Sequence, residues 1–278
     1  MNIFRETERV PQEDARRQGD IIKFEWPEGT EGPPLGILIN ADCDLEHGKT
    51  DGVVAFVPMY SFKEYLEKFW VSGHIEEIIK SCTNNILKSL NSNTIDNGLL
   101  YSWLEEKGPE FVLNSLSDSA KFKKKSKEQI KKDIDKLYIC IKYKINPSEC
   151  FKMLCENDEN PNRYARNNIT NAKKNMGDGH FFINEIVDNR NVGFVVRMRR
   201  IYTIQETDFF LSAREQRAHS GGNKETAVRI SRLTDIYRFK LLQLFAYQYS
   251  RVGLSDEITS LESLAVDDLI FQLVGEKK

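Results

Sequence analysis

An α+β fold is predicted for this 278-residue chain: a small antiparallel sheet or barrel, interrupted by a large helical insertion and followed by C-terminal helices. Three observations predict it. Short runs rich in Ile, Val and Phe occupy 21–26, 35–41 and 53–59, each bounded by Gly, Pro or Asp, which is the signature of short strands. At Ser61 the apolar period lengthens to that of a helix and stays there for about 115 residues. Strand-like runs then return after Gly177-Asp178-Gly179. The early strands are too few to be stable alone, so the two halves are expected to pair in one sheet.

Residues 1–18 are polar, of mixed charge, and read as an N-terminal arm. The first strand stops at Pro27, which cannot donate to a ladder. Residues 28–34 form a turn-rich loop, and Asp51-Gly52 marks the turn before the third strand. Ser61 with Glu64 three residues on predicts a capping box, and Phe62, Tyr65, Leu66, Phe69 and Trp70 come next at helical spacing. Further helices are predicted near 75–90, 94–107, 110–116, 128–143 and 147–155, with a lysine-rich break at 117–127. Strands resume near 180–187, 192–196 and 201–204, then a polar loop at 213–225. Thr234 caps a long helix over 235–252, with Phe239, Leu242, Phe245, Tyr249 and Val252 as its buried stripe and Gly253 just beyond its end. A last helix covers 261–273. The resulting division is an arm at 1–18, a split β-domain at 19–60 and 176–212, a helical insertion at 61–175 and a helical cap at 226–278.

A net charge of −2 excludes a strong overall field for nucleic acid or acidic membrane. Any such role needs a local patch. Five scattered cysteines without a CxxC pattern suit reduced thiols in the cytoplasm. The charged N-terminus does not fit a signal peptide, and no apolar run reaches the roughly 18 residues of a membrane span, so no membrane is expected. HExxH, Walker, Gly-rich dinucleotide and nucleophile-elbow patterns are missing, as is a histidine pair at metal spacing. No cofactor and no metal are expected.

One stretch carries a family resemblance. Gly19-Asp20-Ile21, then Pro27-Glu28-Gly29-Thr30-Glu31, then residues 36–40, then Val57-Pro58-Met59 keep the order of a short pattern. The pattern is G-D-I, a strand, a P-x-G-x-E loop, a second strand, and a third ending near P-I-T. In this, 19–59 resembles the opening of the PemK/MazF-type toxins, small SH3-like barrels that cleave RNA without a metal. The resemblance covers about 40 of 278 residues and implies an SH3-like β-barrel. Two of its catalytic features are missing. The family's Arg-Pro pair is replaced by Gly32-Pro33-Pro34, with no arginine between Arg17 and Arg163, and its Thr after the third strand is replaced by Met59-Tyr60. The resemblance therefore implies the fold and argues against the toxin's cleavage chemistry, which needs a base and a cation or donor for the developing charge.

Candidate sites are set by residue chemistry. Asp42 and Asp44 flank Cys43, and in a continued strand they share one face; with His47 they form a partner- or ligand-binding group, against the plainer reading of carboxylates capping turn amides. Arg197, Arg199 and Arg200 surround Met198. Arg197 and Arg199 would share a strand face and either hold phosphates or guard a sheet edge. Lys123, Lys124 and Lys125 lie in the densest basic run, where a solvated surface competes with phosphate binding. No catalytic residue is fixed. The expected function is that of a non-catalytic binding or regulatory subunit with a protein partner, in a bacterial toxin–antitoxin or phage-defence setting that the resemblance alone implies. The alternatives are a metal-independent ribonuclease using relocated residues drawn from Arg197, Arg199 or His180, and a nonspecific nucleic-acid-binding protein.

Overall fold

The two groups of strands do pair in one sheet. The computed structural model describes residues 5–90, 95–119, 124–219, 224–250 and 256–274. Its strands are β1 (Thr7–Glu8), β2 (Asp20–Glu25), β3 (Leu35–Leu38), β4 (Val53–Ser61), β5 (His180–Glu185), β6 (Val192–Arg197), β7 (Tyr202–Gln205), β8 (Phe209–Phe210) and β9 (Thr226–Leu233). They run in the order β1-β9-β2-β3-β4-β6-β5, with β7 added to β4 and β8 to β9. All pairings are antiparallel except the short β8–β9 contact. The two ends of this order meet. Thr7 Oγ1 accepts from the Val187 amide at 2.8 Å and donates to the Glu185 carbonyl at 3.4 Å, while the Glu6 carboxylate accepts from the Asn184 side chain and amide. The result is a nearly closed barrel.

A short helix, α1 (Asp42–Glu46), lies between β3 and β4. Between β4 and β5 lie α2 (Phe62–Tyr65), a π-helical turn (Leu66–Trp70), α3 (Val71–Leu90), α4 (Asn97–Ser119), α5 (Lys124–Lys142), α6 (Pro147–Glu156) and α7 (Pro161–Lys174). The capping box expected at Ser61 and Glu64 is present and starts α2 directly from β4. The helices carry cores of their own. Ile86, Leu100, Leu104, Ile134 and Leu137 join α3, α4 and α5, and Val71, Cys140, Cys150 and Leu154 join α3, α5 and α6. The five cysteines are free thiols. After β8 comes α8 (Ala213–His219), inside the stretch read as a loop, and after β9 come α9 (Asp235–Tyr249) and α10 (Asp256–Val274).

Alternation along the strands fills both faces of the sheet. Ile21, Ile37, Val57, Met59, Phe194 and Val196 fill the barrel interior, and α9 closes it with Leu241, Tyr237, Leu244 and Phe245. Ile22, Phe24, Leu38, Val54 and Phe56 pack on the other side with Ile204 and Phe209. The stripe expected on α9 is rotated. Phe239 is 61% exposed and Tyr249 52%, while Leu241 is buried; Val252 and Gly253 lie outside the described residues. Polar and apolar residues are mixed around the helix, so its composition does not select one face.

Two further expectations are corrected. Residues 1–18 are not a loose arm where described: Thr7–Glu8 pairs with β9, and Glu6 and Thr7 are buried. The segment 226–233 belongs to the sheet and not to a helical cap. β9 was hidden because Arg229 and Arg232 interrupt its apolar pattern, yet both are buried. They converge on Asp20, which is fully buried: Arg232 Nε lies 2.6 Å from Oδ1 and Arg229 Nη1 3.5 Å from Oδ2. Arg229 also donates to the carbonyls of Pro11, Asp14 and Ala15, and Arg232 to that of Ala15. A buried charge is tolerated only when paired and hydrogen-bonded. Asp20→Ala leaves buried Arg229 without an ion pair and Arg232 with only the distant Asp14, 3.9 Å away, and is expected to cost about 3–5 kcal/mol. Urea unfolding monitored by circular dichroism checks this; a loss under about 1 kcal/mol, the scale of an exposed pair, contradicts it.

Candidate functional site

The junction of β4 with the helices brings a set of polar and aromatic groups to one face. β4 ends on Tyr60 and Ser61. Ser61 Oγ accepts from the Glu64 amide at 3.2 Å, and Glu64 Oε2 accepts from the Ser61 amide at 2.9 Å. That box fixes the first helical turn against the sheet, so Tyr65 and Phe69, four residues apart, share a face. The chain there adopts a π-helical turn, a local irregularity that recurs at functional sites. Across from it, the first residue of β5 and the last of β6 are paired: His180 opposes Arg197.

His180 Nδ1 lies 3.2 Å from the Gly177 carbonyl and Nε2 lies 3.3 Å from the Tyr65 hydroxyl. A carbonyl only accepts, so Nδ1 carries the proton and Tyr65 donates to Nε2; this tautomer is assigned from the bonding pattern. Burial lowers the proton affinity of His180, the Gly177 carbonyl partly restores it, and Arg197 and Arg199 lower it further. The ring is therefore neutral at pH 7. Arg197 stacks its guanidinium 3.8 Å from the centroid of the Phe69 ring and lies close enough to the Tyr60 phenol to lower its pKa. Burial raises the pKa of both Tyr60 and Tyr65, and Arg197 opposes the rise in each. Phe69 is 37% exposed and packs edge-on to Tyr60 at 5.0 Å. Arg199 and Arg200 are exposed in the turn after β6, and Met198 between them and Arg197 is buried. Tyr249 donates to the Met198 carbonyl at 3.0 Å, which ties this turn to α9. The Arg199 side chain lies over Gly179, so close that a Cβ there would sit 2.5 Å from its Nε and would push the guanidinium aside.

The structure thus unites Arg197, Arg199, Arg200 and His180, and adds Tyr60, Tyr65 and Phe69. The arginine geometry differs from the expectation of a shared strand face. Arg197 ends β6, whereas Arg199 sits in a turn. Tyr65 and Phe69 were readable only as part of a helical stripe, which the capping box turns toward β5 and β6, and Tyr60 only as the residue after the third strand's expected end.

The acidic group at Asp42, Asp44 and His47 does not form as expected. The chain does not continue as a strand there; Asp42–Glu46 is the short helix α1 with His47 as its C-cap. At about 100° per residue the two carboxylates point away from each other. Asp42 accepts from the Gln18 amide at 2.7 Å and pairs with Arg238 at 3.0 Å, so it ties β2's lead-in and α9 to α1. Asp44 is approached by the Cys43 thiol at 3.6 Å. Lys123 lies outside the described residues, and Lys124 and Lys125 open α5, an element separate from those that hold the arginines. Among the described residues no group of His, Cys, Asp and Glu could hold a metal, and no helix is long and apolar enough to cross a membrane. No protein-family model matches the chain, and neither does any curated protein or solved structure.

The depressed proton affinity of His180 makes stability depend on pH. The unfolded ring titrates near 6.5 and the folded ring below that, so its contribution is full above about 6.5 and is lost as pH falls toward the folded value. His74, stacked on Trp70 and also lowered by burial, acts in the same direction. The melting temperature is expected to fall between pH 7 and pH 5, and His180→Asn to reduce that dependence while leaving the share due to His74. An unchanged profile in His180→Asn contradicts the assignment.

Proposed function

We propose that the protein works by binding, and that the face formed by Phe69, Arg197, Arg199 and Arg200 takes a single-stranded nucleic acid. The observation that carries this is Arg197 stacked on a partly exposed Phe69 beside two exposed guanidinium groups. Arginines supply phosphate contacts and an exposed ring supplies a stacking platform, the combination that single strands use. A regulatory or accessory role with a protein partner fits the same reading. So does a PemK/MazF-like barrel carrying residues 61–175 as an insertion, within a toxin–antitoxin or phage-defence system; that setting rests on the resemblance at 19–59.

Cleavage is the second reading, favoured by the neutral His180 next to Arg197. Binding is preferred because both ring nitrogens of His180 are engaged and Arg197 is stacked on Phe69. A general base has to reach the proton that it removes.

Fluorescence anisotropy with a labelled single-stranded RNA tests the proposal. Affinity is expected to fall with salt at a log–log slope of about −0.7 per phosphate neutralised. The double variant Arg199→Glu/Arg200→Glu should shallow that slope, and Phe69→Ala should cost about 1–3 kcal/mol without changing it. A slope that responds to Lys123→Glu/Lys124→Glu/Lys125→Glu instead moves the site to the lysine run. RNA cleavage in EDTA that His180→Ala or Arg199→Ala abolishes establishes the ribonuclease reading.

A further inference from the structure

The barrel interior does not close at one end. β2 places Ile21 in the interior core, and Lys23 stands opposite Leu35, another interior residue, so Lys23 lies on the same inner face. An alternating strand would put an apolar side chain at this position. Lys23 is instead exposed, and with it opens a cavity of about 580 Å³ floored by Leu35, Phe194 and Ile230 and walled by the 187–191 turn and the start of α2. Mouths of β-barrels are a preferred place for small-molecule sites, which combine an apolar lining with a few convergent polar groups.

The charges around the cavity are unequal in one respect. Its two acids are already engaged: Glu64 accepts from the Ser61 amide and hydroxyl at 2.9 and 2.7 Å, and Asp188 accepts from Arg9 Nη2 and Nε at 2.6 and 2.7 Å. Its two cations, Lys23 and Arg190, have no ion pair or side-chain hydrogen bond among the described residues. The turn that bears Arg190 is fixed in place. Asp188 has a left-handed backbone (φ 63°), Arg9 clamps its carboxylate, and the Val187 amide donates to Thr7. The site is thus held by the same strand, β1, that closes the barrel.

We propose that this barrel mouth binds a small molecule joining one anionic group to an apolar body. The anion lies between Lys23 and Arg190, and the body lies on Ile230 and the exposed edge of Leu35, above the buried Phe194. The site is separate from the arginine face: β4 directs Ser61 to the mouth and Tyr60 to the opposite side of the sheet.

The test is a fluorescence titration of the full-length protein with 8-anilinonaphthalene-1-sulfonate, and with N-phenyl-1-naphthylamine as its neutral counterpart. The sulfonate dye is expected to bind one saturable site at least tenfold more tightly than the neutral dye. Lys23→Gln and Arg190→Gln, both at exposed positions, should each weaken the sulfonate dye at least fivefold, and Lys23→Glu at least tenfold, with neutral-dye binding unchanged. Circular dichroism melts verify that these variants remain folded. Arg199→Glu/Arg200→Glu should leave dye binding unchanged, so failure of the nucleic-acid reading and failure of this one are distinguishable. Equal affinity for the two dyes, sulfonate binding that survives Lys23→Glu because the dye wets exposed apolar residues of α9 and α10, or no saturable binding overturns the proposal.

Discussion

A buried carboxylate between two buried arginines is the constraint on which the barrel depends. Asp20 opens β2, and Arg229 and Arg232 lie on β9, the strand beside it. Removing these charges from water is costly, and the cost is offset only while every member keeps its partners. Those partners are spread along the chain. The Arg17 amide donates to Asp20, and the carbonyls of Pro11, Asp14 and Ala15 accept from the arginines. The N-terminal segment is therefore drawn across β9, and β1 is delivered to the one place where it can bridge β9 and β5. A hydrophobic cluster could supply as much stability, but it would not specify which backbone carbonyls have to be present.

That closure also sets the placement of the C-terminal helix and the arginine turn. β9 runs straight into α9, and the Thr234 hydroxyl donates to the carbonyls of Arg5 and Glu6 in place of capping the helix. Leu241 then falls over the barrel interior, and Tyr249, two turns on, reaches the Met198 carbonyl beside Arg199 and Arg200. The position of the arginine turn thus depends on a helix whose phase is set by the N-terminal segment. Asp42, read from the sequence as half of a ligand group, belongs to the same framework through Arg238.

Much of this fold was legible where local chemistry decides the outcome. Strands β2, β3 and β4, the capping box at Ser61, the Asp51-Gly52 turn with both residues at positive φ, and the return to strand near His180 all rest on short-range signals. β9 was not legible, because its arginines break the apolar pattern and the buried aspartate they face, 212 residues from Arg232, gives no local signal. The face shared by Asp42 and Asp44 depended on the strand continuing past Ala41; β3 ends at Leu38 although the apolar run reaches Ile39, and nothing local distinguishes a continuing strand from one turn of helix. At the candidate site, the arginines and His180 stood out by type. Tyr65 and Phe69 did not, since their spacing is equally that of a core stripe and only the angle at which α2 leaves β4 separates the two; Tyr60 did not because it lies at the end of a strand.

The register of β4 is where fold and site meet. Met59 lies in the barrel interior, Tyr60 packs on the outer side with Tyr65 and Val195, and Ser61 starts the helix at the barrel mouth. Side chains alternate with a period of two, so a slip of one residue against β6 would put Tyr60 inside and Met59 out. The interior core opposes such a slip: Met59 stands opposite Leu35 of β3 and Val196 of β6, both buried there. The capping box then starts the helix at the very next residues, so the register of β4 also decides where α2 leaves the sheet. Because the same three residues end the strand, start the helix and divide the two faces, a change of register would disturb the arginine face and the mouth together.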